Sequence, residues 1–200
     1  MYIISIDIGL KNLGLVGMRH GNVNLCKKLD IKAMCEYCNI KDCNLYHNLC
    51  MSDYVSHFIK RYQRYLNNAD VILIERQPPT GFISIQELIV FQYRDKIKMI
   101  SPNAMHKYFD ITHYDYERRK KFVTQYAEKA LKMFPDFKRN RRKHDVSDAY
   151  CMIIFYLHTA PQMGSERFRR TSRLDEPLEQ FKYVAPKTAP KGRVRSRFFK

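Results

Sequence analysis

Tyr2-Ile3-Ile4-Ser5-Ile6-Asp7-Ile8-Gly9 is an isoleucine-rich apolar run interrupted near its end by an acid and closed by a glycine. So many β-branched side chains without helical spacing read as a buried strand over residues 2–8. Asp7 is the anomaly, because an ionised carboxylate in an apolar strand costs several kcal/mol unless a partner compensates it. Working outward, residues 13–18 and 23–31 read as two more strands joined by the tight turn His20-Gly21-Asn22, giving a three-stranded meander. After a cysteine-rich insert, Ser52 is expected to cap a helix whose apolar stripe is Tyr54, Val55, Phe58, Ile59, Tyr62, Tyr65 and Leu66. Val71-Ile72-Leu73-Ile74-Glu75 is a second apolar run tipped by an acid, and Pro78-Pro79 and Gly81 then force a loop.

A helix over 83–93 and a strand over 96–101, stopped by Pro102, turn the pattern into strand, helix, strand. A helix over 116–134 carries Phe122, Tyr126, Ala130 and Phe134 on one stripe and is expected to stop at Pro135. A basic link over 138–143 leads to a last helix with Val146, Ala149, Tyr150, Ile153, Ile154 and Leu157 on its buried side. The fold class is α/β.

Two hundred residues suit one domain, here 1–160, followed by a basic tail over 161–200. Past Pro161 the apolar periodicity ends, and eleven Lys and Arg stand against four Asp and Glu. The whole chain carries 36 Lys+Arg against 20 Asp+Glu, a net charge of +16. That excess has the sign of a partner for a phosphate backbone, while 45% hydrophobic and 13% aromatic content rules out global disorder. The first residues lack the basic and long apolar regions of a signal peptide, and no apolar run is long enough to span a bilayer, so an intracellular protein is expected. In that setting six cysteines are reduced or metal-bound rather than paired.

Four acids occupy chemically expressive positions. Asp7 and Glu75 tip two apolar strands that one sheet can bring to a common edge, and Asp145 and Asp148 project from one face of the last helix. Taken singly, each has an ordinary reading as a turn, cap or solvated acid. Four carboxylates on one spot repel unless divalent cations bind between them, and hard oxygen donors suit Mg²⁺ or Mn²⁺. Two such ions about 3.5–4 Å apart are the arrangement that hydrolyses phosphodiesters.

In order along the chain, Ser5-Ile6-Asp7-Ile8-Gly9-Leu10-Lys11-Asn12-Leu13-Gly14, Ile74-Glu75-Arg76-Gln77 and His144-Asp145-Val146-Ser147-Asp148-Ala149 resemble the three signatures of RuvC-type Holliday junction resolvases. The Asp-x-Gly-x-Lys-Asn and Glu-Arg-Gln elements are most similar to the poxvirus-type resolvases of large DNA viruses and the yeast mitochondrial resolvase. The resemblance runs from Tyr2 to about His158, excluding the insert and the tail. It implies an RNase H-like mixed sheet flanked by helices, a homodimer, four-way junction DNA as substrate, and two Mg²⁺ held by Asp7, Glu75, Asp145 and Asp148. It also implies a basic residue near the scissile phosphate, which falls on Lys120 or Lys121, and a viral setting implies the site of viral DNA replication. The Asp-x-Gly turn is shared with sugar kinases and actin-like ATPases, but 200 residues leave no room for their second lobe. Two rivals remain open: a non-catalytic branched nucleic-acid binder, and an RNase H-like nuclease acting on hybrids or flaps.

Within the insert, residues 35–50, Cys35, Cys38, Cys43, His47 and Cys50 place five metal donors in sixteen residues. Four cysteines, or three with His47, would fill a structural Zn²⁺ site, and reduced cysteines packed against the next helix are the alternative. Cys26 and Cys151 read as core residues. Lys11, Arg76, Arg118, Arg119, Arg141, Arg142 and Lys143 are the candidate phosphate contacts, and Tyr114 and Tyr116 the candidates for stacking on exposed bases or for burial.

Overall fold

The computed structural model describes residues 1–38 and 43–160. Residues 39–42 and the tail reading over 161–200 lie outside the described residues. Strands β1 (Tyr2–Asp7), β2 (Leu13–Arg19) and β3 (Asn22–Leu29) form the expected antiparallel meander. His20 at φ 50° and Gly21 at φ 79° turn the chain between β2 and β3, the paired positive angles of a tight hairpin. Helix α1 (Ile31–Glu36) and the long α2 (Met51–Asn68) precede β4 (Val71–Glu75), which lies parallel to β1. Helix α3 (Ile83–Tyr93) and a short 3-10 turn lead to β5 (Ile97–Ile100), parallel to β4. Helices α4 (Pro102–Tyr108), α5 (Tyr116–Leu131), α6 (Pro135–Arg139) and α7 (His144–Thr159) complete the described fold.

The sheet order is β3-β2-β1-β4-β5, and side-chain alternation splits the interior into two cores. Ile4, Ile6, Ile72 and Ile74 join Val55, Phe58, Leu66, Ile85 and Ile89 from α2 and α3 on one face. Ile3, Val16 and Leu73 join Val123, Ala127, Val146, Ala149 and Ile153 from α5 and α7 on the other. Both faces are therefore covered, which is why β1 and β4 read as continuous apolar runs.

The structure corrects several boundaries. The third strand stops at Leu29 rather than reaching residue 31, because Asp30 accepts from the Ala33 backbone N–H at 2.9 Å and starts α1. Ser52 is not the cap of α2: Cys50 holds that position, with no side-chain cap bond. Pro102 ends β5 but also opens a helix, its missing N–H being one that a first turn leaves unpaired, and Ser101 caps Ala104. Pro135 does the same for α6, so α5 stops at Leu131 and the link over 138–143 is helical at its start.

Candidate active site

β1 and β4 are adjacent and parallel, so their carboxyl ends lie at the same edge of the sheet. Asp7 and Glu75 are the last residues of those strands. Alternation puts Asp7 in line with Ile3 and Ser5, and Glu75 with Leu73, on the face covered by α7. α7 brings Asp145 and Asp148, both buried, from its first turns, where the helix dipole favours negative charge. Its amino end can lie against β2 because residue 14 is glycine. A Cβ at Gly14 would stand 2.1 Å from the Asp145 carbonyl oxygen, and Gly14 is the register partner of Asp7.

The four acids share one electrostatic neighbourhood. Burial, then the charges of Asp148 and Glu75, push the Asp7 carboxyl well above the usual range, against the pull of Lys120. Glu75 is raised by burial and Asp148, and a hydrogen bond shared with Asp7 offsets part of this. Burial also raises Asp148, although the Lys120 ammonium sits on its Oδ2 at 2.5 Å. Burial alone would lower Lys120, but the charge of Asp148, its hydrogen bond and Asp7 carry it upward, so Lys120 is charged at neutral pH.

Lys120 and Lys121 thus separate. Lys120 from α5 reaches the acids and lies 5.5 Å over the Tyr116 ring, whereas Lys121 is exposed on the next helical position. Arg142 reaches Asp145 at 3.4 Å through both Nε and Nη2, and Lys143 lies over the Phe137 ring. Arg119 donates to the Tyr114 carbonyl at 2.6 Å, and Arg118 pairs with Asp115 at 3.5 Å. Lys11, Arg76 and Arg141 are exposed. Tyr114 packs edge-on against Phe122, while Tyr116 is exposed.

Two histidines at this site escaped the sequence reading. His106 on α4 is half-buried, and burial followed by the Arg119 charge lowers its pKa. His144 lies 3.4 Å from Asp145 and is also lowered, first by burial. Both imidazoles are therefore neutral near pH 7. The Asp-x-x-Asp pattern marked the position beside His144, whereas nothing marked His106, whose helix was not anticipated.

Three donors of the expected zinc set, Cys38, Cys43 and His47, are brought together with His57, and Cys35 Sγ lies 3.9 Å from His47 Nδ1. Cys35 lies on the buried side of α1, 1% exposed, and Cys50 is exposed at the start of α2 with its Sγ 3.0 Å from Ser52 Oγ. The donors that converge are Cys38, Cys43, His47 and His57, all within 4.8 Å of one another. Cys26 and Cys151 are buried in the core, as expected.

A five-stranded mixed sheet of this order, helices on both faces and acids at the β1 and β4 tips define an RNase H-like domain. Residues 1–160 match the family model described as Poxvirus A22 protein, and the chain belongs to that family. Its fold is similar to the Fowlpox virus resolvase in complex with substrate Holliday junction DNA, at TM-score 0.56 and 18% identity over 79% of this chain and 97% of that one. The Fowlpox virus Holliday junction resolvase alone gives TM-score 0.53 and 17% identity over 79% and 98%. Thermus thermophilus RuvC in complex with Holliday junction substrate gives 0.50 and 12% over 80% and 97%. No curated protein sequence matches the chain. The family resemblance carried by the three sequence signatures is borne out. No helix among the described residues is long and apolar enough to cross a membrane.

Proposed function

We propose that this protein is a Holliday junction resolvase, an endonuclease that cuts opposed strands of four-way DNA. The observation that carries the reading is the convergence of Asp7, Glu75, Asp145 and Asp148 beside a charged Lys120. Membership of the Poxvirus A22 protein family supports it, as do fold relatives described with Holliday junction DNA.

The donor set fits divalent metal: the acids offer only hard oxygens, and burial first, with the charges of neighbouring carboxylates adding to it, raises Asp7, Glu75 and Asp148, a cost that a bound cation offsets. Asp7, Glu75, Asp145 and Asp148 would hold two Mg²⁺ or Mn²⁺ ions. Bound there, such ions supply water activation and stabilisation of the leaving oxygen. The chain's own groups do the rest. Lys120, held by Asp148, offers its ammonium to the negative charge that builds on the scissile phosphate. Arg142 fixes the Asp145 carboxylate, so the fourth acid is oriented before substrate arrives. Lys11, Arg76 and Arg141, exposed beside the three acidic signatures in sequence, are the phosphate contacts that guide DNA to the acids.

A homodimer follows from the substrate, since two symmetric cuts require two sites related by a two-fold axis. Helix α3 supports this with Ile83 and Phe91 exposed, Phe91 at 78%, beside the half-buried Leu88 and Val90. In a virus of this family the protein would act where viral DNA replicates.

The test is cleavage of a synthetic four-way junction with Mg²⁺ by the native protein and by Asp7→Asn. Paired nicks lost in Asp7→Asn support the proposal. Equal activity in both would remove the acid assignment, tight binding without cleavage at any divalent ion concentration would favour a binder, and faster cutting of hybrids or flaps would favour another RNase H-like nuclease.

A further inference from the structure

We propose that Cys38, Cys43, His47 and His57 bind one Zn²⁺ that clamps the segment ahead of α2 onto that helix. The site is independent of the nuclease reading and shares no residue with it. Two thiol and two imidazole donors come from three places: the residues just after α1, the segment over 43–50, and the interior of α2. Their ligand atoms fall within 4.8 Å of one another, and Cys43 Sγ is 3.8 Å from His57 Nε2. A tetrahedral zinc with bonds of about 2.0–2.3 Å separates its ligand atoms by about 3.3–3.8 Å, so the cluster needs only a small contraction to close on the ion.

The orientation of the imidazoles argues for a metal rather than a chance cluster. His57 Nδ1 lies 2.7 Å from the Asp53 carbonyl oxygen, and His47 Nδ1 lies 3.2 Å from the Cys35 carbonyl oxygen. Each ring donates through Nδ1 to a backbone carbonyl, which fixes the tautomer and leaves Nε2 with its lone pair, the outer-shell arrangement of zinc-bound histidine. The rings are 4.5 Å apart. His57 is 3% exposed on the apolar side of α2, and its Nε2 there faces the Cys43 sulfur, so an ion between them would engage two donors at a largely buried position. Asp53, one turn earlier, is buried with Oδ2 lacking a hydrogen-bond partner among the described residues, an unbalanced carboxylate that a nearby dication would offset.

Four protein ligands leave no position for water, so the ion is structural. It would cross-link a stretch with little regular structure of its own to the helix that covers one face of the sheet, replacing the core that this segment is too short to build.

The test uses the full chain purified without chelator. Metal analysis is expected to find one zinc per chain, and X-ray absorption at the zinc edge to find two sulfur neighbours near 2.3 Å and two nitrogen neighbours near 2.0 Å. His57→Ala is expected to lower zinc affinity by at least about 100-fold, while Cys50→Ser leaves it unchanged. Because His57→Ala alters a buried position, the absorption spectrum of the unaltered protein decides independently. A shell of four sulfurs, or of three sulfurs and one nitrogen, would overturn the ligand set. Absence of zinc with two thiols missing, the sign of a Cys38 to Cys43 disulfide, would overturn the site.

Discussion

Replacing Gly14 by alanine isolates the contact that seats α7 on the sheet. The added Cβ would lie 2.1 Å from the Asp145 carbonyl oxygen, 2.6 Å from its carbon and 3.1 Å from the Val146 nitrogen, all backbone atoms that no rotamer change can move aside. Restoring an ordinary contact requires the amino end of α7 to recede by about 1 Å, and displacements of that size at a reacting centre cost about 100-fold in rate. Val146, Ala149 and Ile153 anchor the same helix without exposure, so overpacking is expected to cost about 1–3 kcal/mol, or roughly 2–12 °C in Tm for a domain of this size. Gly17→Ala is the matched control. It lies on the same strand, but its Cβ meets side-chain atoms of Asn24, Ile4 and Leu25 at 3.0 Å, away from the acids. Single-turnover junction cleavage at saturating protein, with Tm measured in parallel, should find both variants destabilised but only Gly14→Ala slowed by about 100-fold. A native cleavage rate in Gly14→Ala would refute the reasoning that the approach of β2 to α7 sets the spacing of the acids.

Lys120→Met should lower cleavage by about 100- to 1000-fold with junction binding nearly intact, whereas Lys121→Met should mainly change the salt dependence of binding; equal rate losses in the two would contradict the geometry. In metal-free protein the carboxyls of Asp7, Glu75 and Asp148 titrate higher in the folded than in the unfolded state, so the folded state holds more protons and stability falls as pH rises from the ordinary carboxylate range, about pH 4, through the raised values. Added Mg²⁺ should flatten that fall, and Asp7→Asn should raise the metal-free Tm, both readable by thermal denaturation across pH. Phe91→Glu should raise the dimer dissociation constant by about 30-fold or more, and sedimentation finding the native and variant proteins equally associated would remove α3 from the interface.

The strands were legible because their burial is two-sided: runs such as Ile3-Ile4 and Ile72-Leu73-Ile74 have no polar face to confuse with a helix. Short helices were not. α4 and α6 begin at Pro102 and Pro135, and a proline that ends one element and starts the next has the same sequence signature as one that only ends it. Asp30 has the same ambiguity, since an acid closing a strand is also a good helix cap.

The two sites differ in legibility for a related reason. An acid in an apolar strand is a local contradiction, visible at Asp7 and Glu75 without knowledge of any neighbour. His57 is also a polar residue on an apolar face, but it stands seven residues beyond Cys50 on a helix whose stripe is otherwise complete, so spacing gives no cause to group it with Cys38. Only the packing of the segment over 43–50 against α2 brings Nε2 toward Cys43, while Cys35 is buried on α1 with its Sγ 3.9 Å from His47 Nδ1 and Cys50 is exposed. Donor spacing along the chain predicts a site when all its ligands share one loop; a ligand supplied by an element with its own burial pattern is concealed by that pattern. The same logic holds for Lys120: the basic run Arg118-Arg119-Lys120-Lys121 is uniform in charge, and helical rotation alone decides that Lys120 meets Asp148 while its neighbours point elsewhere.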